Sequence, residues 1–221
     1  MDLGRWRAVS AAMAIAAATS VPAAGGEREC SVETRLQWVD VEGLARFAYS
    51  AMAREARHVL AEHGVCAELA RASPRSVRAD GEIGVVLLRS MGGSGVGRHV
   101  MGATLSSYPG NATVWVYLDE VASAVGLAGR ALESGSAADR AGFGRALGRV
   151  VAHEVVHTLL PERPHDSAGL MSASLGRHEL TTFALGTHSG LLADMRRAGR
   201  NRHAENAHDR PQGDGAHRLG H

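Results

Sequence analysis

The sequence predicts an α+β fold with a mixed, mostly parallel, twisted sheet of four to five strands. Residues 32–72 follow the order strand, helix, strand, which is that of a parallel crossover. Residues 82–89 contain a near-continuous apolar run, typical of a central strand. Residues 136–160 carry the strongest helical pattern in the chain. These segments together indicate one domain with helices packed on a sheet.

The composition of the 221-residue chain is that of a folded protein, with 45% hydrophobic and 21% charged residues. Basic and acidic side chains nearly balance at 24 and 23, so we expect no nucleic-acid partner. The sequence contains no Lys, which excludes a Schiff-base nucleophile and a Walker-type phosphate lysine. The chain also contains 12 His residues, and the histidine imidazole is the commonest metal ligand in proteins.

Both ends of the chain fall outside the predicted domain, residues 26–197. Residues 1–23 have the charges, apolar run and small-residue cleavage site of a signal peptide. The apolar run is shorter than the roughly 20 residues of a membrane span. We therefore expect a secreted or periplasmic protein without stable membrane insertion; an uncleaved anchor or an Ala-rich disordered arm is the alternative. Residues 198–221 have almost nothing to bury, which predicts a disordered His/Arg-rich tail.

Cys30 and Cys66 are the two cysteines of the chain. In an exported protein such a pair forms a disulfide. The parallel crossover places both cysteines at the same end of neighbouring strands, where they can bond. Two buried free thiols are the alternative if the chain is not exported.

The first half of the chain is predicted to be mainly sheet. Apolar residues at helical spacing predict one helix over 42–62, ended by His63-Gly64. Further along the chain, a glycine-rich connector is predicted at 92–97 and a turn at 107–111. Strands are predicted at five places: 32–39, 65–72, 82–89, 99–105 and 112–118.

The second half is predicted to be mainly helical. The helix over 136–160 buries an apolar stripe and is stopped by Pro161. A final helix, capped by Thr181 or Thr182, runs through Met195. Three arginines of the long helix are expected to face solvent: Arg140, Arg145 and Arg149.

The chemistry of the chain is concentrated in His153-Glu154-Val155-Val156-His157, within the long helix. Four residues make just over one turn, so both imidazoles lie on one face and can bind one zinc ion. Glu154 can reach a water at an open coordination position and act as general base. A catalytic zinc needs a third protein ligand, and His165, swung back by two prolines, is the first candidate. The rival ligands are acidic: Glu162, Asp166 and Glu179.

These residues resemble the zincin metallopeptidases, in particular the metzincin branch. The likeness consists of His153-Glu154-x-x-His157, a seven-residue connection, His165, and then Gly169-Leu170-Met171. The resemblance implies a zincin-like fold with one Zn²⁺ held by the three histidines, Glu154 as the catalytic residue and Met171 in a turn beneath the metal. It also implies that the strand near residues 99–106 is a sheet edge over the cleft, where a peptide adds as an extra strand. The candidate edge residues are His99, Gly102, Ala103 and Thr104.

Two features depart from the usual metzincin form. Leu160 stands at the usual Gly position and Arg163 at the usual ligand position, so the third ligand is carried over to His165. No Tyr follows Met171, which leaves the oxyanion-stabilising group unassigned. The candidate donors for it are His99 and His178.

We therefore expect an exported, monomeric zinc metallopeptidase that acts on a peptide or protein substrate. One alternative is a zincin-fold protein that binds a peptide or a partner without turnover. Another is a zinc hydrolase that acts on a different class of substrate.

Overall fold

The computed structural model describes residues 30–72, 78–79, 81–91, 100–105, 112–129, 132–182, 185 and 189–208. The predicted signal peptide, the glycine-rich connector, the turn at 107–111, His99 and the end of the predicted tail lie outside these ranges.

The described chain contains a five-stranded sheet of order β2-β1-β3-β5-β4. Only β4 runs antiparallel to its neighbour, β5; the other three pairings are parallel. The α+β class and the mixed, mostly parallel sheet are therefore confirmed, and β4 lies at one edge. The strands are β1 (Val32–Asp40), β2 (Val65–Arg71), β3 (Glu82–Leu88), β4 (Gly102–Leu105) and β5 (Thr113–Tyr117).

Five α-helices accompany the sheet in the described residues: α1 (Tyr49–Glu62), α2 (Leu118–Ala124), α3 (Ala137–Leu159), α4 (Arg177–Thr181) and α5 (Ser189–His208). Short 3-10 turns lie at Arg46–Ala48 and Leu132–Ser134. The hydroxyl of Ser136 accepts a hydrogen bond from the Asp139 N–H and caps α3, whose bounds match the prediction within one residue. None of the described helices combines the length and the apolar character that a membrane crossing requires.

Helices α1 and α3 pack closely, and α3 also contacts β4 and β5. Two glycines of α3, Gly144 and Gly148, make this approach possible. A Cβ at Gly148 would lie 2.6 Å from the carbonyl oxygen of Met52. This close packing places α3 against the core of the domain, with the second half of the helix beside the edge strand β4.

The first helix begins later than predicted. We expected it from residue 42, but residues 42–45 form bends and a turn. The carboxylate of Asp40 accepts hydrogen bonds from the N–H groups of Leu44 and Ala45 at 3.1 and 2.8 Å. It also accepts one from the Tyr49 hydroxyl at 2.5 Å. Because these bonds satisfy the local donors, the chain turns before it becomes helical.

The predicted start of the last helix is wrong. Thr181 ends α4 rather than capping α5, and its hydroxyl donates back to the Arg177 carbonyl at 2.7 Å. Thr182 is the extended residue that follows α4. Helix α5 begins at Ser189 and runs to His208, so it continues past residue 198, where we expected a disordered tail.

The expectation that Arg149 faces solvent is also wrong, since it is only 1% exposed. Its Nε donates to Glu55 of α1 at 2.7 Å. Its two Nη atoms donate to the carbonyls of Glu179 and Thr182, at 2.5 and 2.6 Å. These carbonyls end α4 and lack helical partners, so the buried cation joins three helices.

The predicted disulfide between Cys30 and Cys66 is confirmed, with Cα atoms 5.5 Å apart. Cys66 pairs in register with Glu33 across the parallel β1–β2 ladder. The crossover therefore brings the two cysteines to the same end of neighbouring strands, as expected.

Candidate metal centre

Three imidazoles converge where α3 meets the loop that follows it. Helix α3 supplies His153 and His157 one turn apart, and the loop supplies His165. Nε2 of His157 lies 3.2 Å from Nε2 of His153 and 3.1 Å from Nε2 of His165. Nitrogen ligands held 2.0–2.1 Å from a tetrahedral metal lie about 3.3 Å apart. The three histidines could therefore hold a metal ion, and their ligand atoms all lie within 4.8 Å of one another.

The orientation and charge of the two helical histidines suit metal ligation. Nδ1 of His153 donates to the Leu170 carbonyl at 2.7 Å, so Nε2 carries the lone pair. Burial lowers the pKa of His153. Burial, together with the two neighbouring imidazoles, lowers the pKa of His157 to about 4. Burial thus favours the neutral form of both side chains, which is the form in which histidine binds a metal.

The loop that carries His165 is closed by backbone contacts with the turn containing Met171. The Asp166 N–H donates to the Met171 carbonyl at 2.7 Å, and Asp166 forms a bridge with Ser172. Leu170 and Met171 are both buried. The predicted Met-containing turn is thus hydrogen-bonded at two places. Its Leu170 carbonyl accepts from His153, and its Met171 carbonyl accepts from the N–H of Asp166, the residue after His165.

Glu154 is 8% exposed and lies against the edge strand β4. The Thr104 hydroxyl lies 2.9 Å from its Oε2 and donates to it. A Cβ at Gly102 would lie 2.8 Å from both Cγ and Oε1 of Glu154, so only glycine fits there without movement. Burial raises the pKa of Glu154 to about 7, although the Thr104 hydrogen bond opposes the shift. A carboxyl group with that pKa is suited to exchange protons near neutral pH.

The three histidines and Glu154 open into a cleft of about 760 Å³. The edge strand region forms one side through Met101 and Gly102, and residues 172–177 form another. Helix α2, which the sequence pattern does not predict, supplies a further wall: Glu120, Ser123 and Ala124. Seven residues following directly after a strand are too few to show a helical period clearly.

The other candidate residues take different places. Ala103 and Thr104 lie in the edge strand as expected. His178 is exposed on α4, outside the described lining of the cleft. Tyr117, to which no role was predicted, is buried, and its pKa is raised mainly by that burial and further by the charge of Glu154. The three rival ligands are absent from the histidine cluster found in the described residues: Glu162, Asp166 and Glu179.

Comparisons with known proteins identify no family for this chain. No family model matches it, and no curated protein matches it either.

Proposed function

We propose that the protein is a zinc-dependent peptidase with a zincin-like fold. The observation that carries the proposal is the convergence of the three histidine Nε2 atoms beside the buried carboxylate of Glu154. A structural zinc site has four protein ligands, often cysteines, whereas three histidines leave a coordination position open for chemistry. The antiparallel edge strand beside the cleft also supports a zincin-like arrangement.

Zinc, when bound, would lower the pKa of a coordinated water and polarise the scissile carbonyl. Glu154 accepts the proton of the attacking water and passes it to the leaving amine. The Thr104 hydroxyl lies 2.9 Å from Oε2 and 3.0 Å from the backbone carbonyl oxygen of Glu154, so it holds this carboxylate beside β4. The hydrogen bond from Nδ1 of His153 to the Leu170 carbonyl fixes the orientation of the ring, so Nε2 keeps one direction during the reaction.

The substrate would bind along β4 as an additional strand. Edge strands expose unpaired N–H and C=O groups that can pair with an extended peptide. Gly102 lines the cleft, so a peptide paired with β4 would pass beside Glu154. The predicted signal peptide and the Cys30–Cys66 disulfide support an exported protein, and we expect it to act as a monomer.

Metal analysis and a peptide-library digest test this function. Purified wild-type protein should hold about one zinc per chain and cleave peptides only without chelator. His157→Ala should lose the zinc, because it removes the nitrogen that lies between the other two. Glu154→Gln should keep the zinc and lose turnover, because the amide cannot accept the proton. A wild-type chain that takes up no zinc at neutral pH contradicts the proposal, and so does a Glu154→Gln variant with full turnover.

A peptide-binding protein without turnover is the second candidate. The observation in its favour is that the described residues lining the cleft include no tyrosine to stabilise an oxyanion. In that case the wild-type protein and Glu154→Gln would bind the same peptides with equal affinity, and neither would cleave them.

A further inference from the structure

We propose that Arg163 and Asp194 form a latch through which α5 positions His165 and sets the metal affinity of the site. The inference rests on the proposed metal centre but goes beyond it, because it assigns a role to residues that touch no ligand atom. Arg163 is a positioning residue in this proposal.

The guanidinium of Arg163 ties two carboxylates together. Nη2 donates to both oxygens of Asp166, at 3.0 and 2.8 Å, and Nη1 donates to Asp194. The Arg163 side chain is only 11% exposed, so these ion pairs are poorly screened by solvent. A planar guanidinium can serve both partners in fixed geometry, which a Lys ammonium cannot do equally well.

The two ends of the Arg163–Asp166 pair flank His165. The chain between them is only Pro164-His165, and the proline fixes one backbone dihedral. On the far side, the Asp166 N–H is held by the Met171 carbonyl. The imidazole of His165 is exposed, unlike that of His153, so its position depends on how firmly its backbone is held.

Helix α5 anchors the other end of the latch. Asp194 lies between Leu191 and Met195, both of which are buried in the core. The docking of α5 therefore sets where Asp194 meets Arg163. The same Asp194 also has an exposed partner on α5, Arg197, whose Nη1 lies 3.6 Å away and whose side chain is 69% exposed.

The test measures the zinc dissociation constant of the full chain by competition with a chelator. Asp194→Ala and Arg163→Lys should each weaken zinc binding about tenfold or more, as is usual for residues that orient metal ligands. Asp194→Asn, which keeps the side-chain volume, is the milder second variant and should weaken binding in the same direction. Arg197→Ala is the matched control and should leave affinity within about twofold, because an exposed pair contributes little.

A double-mutant cycle separates positioning from general destabilisation. If the latch acts through His165, Asp194→Ala should have no further effect on zinc affinity in a His165→Ala background. If Asp194→Ala and Arg163→Lys both bind zinc with wild-type affinity, the latch proposal is wrong and the proposed function is unaffected. The latch proposal is also wrong if Asp194→Ala weakens zinc binding equally with and without His165. A wild-type chain that binds no zinc overturns the proposed function as well.

Discussion

Two residues of β4 determine how the edge strand meets Glu154. Gly102 and Thr104 are two positions apart, so they lie on the same face of the strand. Gly102 allows the carboxylate to approach because it has no Cβ, and Thr104 holds one oxygen with its hydroxyl. The edge strand thus contributes to the candidate site even before any substrate binds.

Gly102→Ala should lower peptide hydrolysis about tenfold or more while the zinc content stays unchanged. The added methyl group would displace the Glu154 carboxylate but would leave the three histidines in place. The measurements are kcat/KM on a cleaved peptide and zinc per chain. Gly142→Ala, whose added Cβ would have nothing within 4 Å, is the matched control and should retain activity. Wild-type turnover by Gly102→Ala would exclude this role for the glycine.

At the level of elements, the contact between α1 and α3 places the site. Gly144 and Gly148 are one turn apart on the face of α3 that meets α1. Arg149 adds a buried ion pair to Glu55 beside this contact. Because α3 also packs on β4, its position relative to α1 decides how close His153 and Glu154 come to the edge strand.

Gly148→Ala should lower the free energy of unfolding by about 1–3 kcal/mol, the usual cost of overpacking. Its Cβ would lie 2.6 Å from the Met52 carbonyl oxygen, so the helices must separate. Gly142→Ala, in the same helix but with nothing within 4 Å of its Cβ, is the control. It should stabilise the protein by up to about 1 kcal/mol, because alanine favours the helix. Equal effects in urea denaturation would contradict close packing at Gly148.

At the level of the whole molecule, the disulfide and the candidate site lie at opposite edges of the sheet. Cys66 belongs to β2 at one edge, and β4 forms the other. The disulfide links residues 36 positions apart and therefore restricts the unfolded chain. Neither cysteine is among the described residues that line the cleft. Stability and metal affinity should therefore respond separately to its loss.

The double substitution Cys30→Ser with Cys66→Ser should lower the free energy of unfolding by about 4 kcal/mol. The loss comes from the greater freedom of the unfolded chain once the loop is open. Urea denaturation of the wild type and the variant, each with and without reductant, measures it. The folded variant should keep wild-type zinc affinity; a change beyond about twofold would mean that the far edge of the sheet is coupled to the site.

Much of the fold was predictable because it depends on local patterns. The five strands were predicted from strand-like patterns, such as polar–apolar alternation in β1 and an apolar run in β3, although β4 is shorter than expected. The short helices α2 and α4 were missed, because five to seven residues show no clear period. Helix starts were misplaced where side chains bind the backbone, as Asp40 does before α1.

The sequence by itself determined which side chains repeat at the spacing of a helical turn, and hence that His153 and His157 share a face. It also indicated His165, because two prolines precede it and imidazole is a common zinc ligand, and the disulfide, because the chain has just two cysteines. Only the tertiary structure decided that Thr104 and Gly102 meet Glu154, that Arg149 is buried against Glu55, and that Arg163 reaches Asp194. These partners lie 31 to 94 positions apart, and their meeting depends on how whole elements pack rather than on any local period.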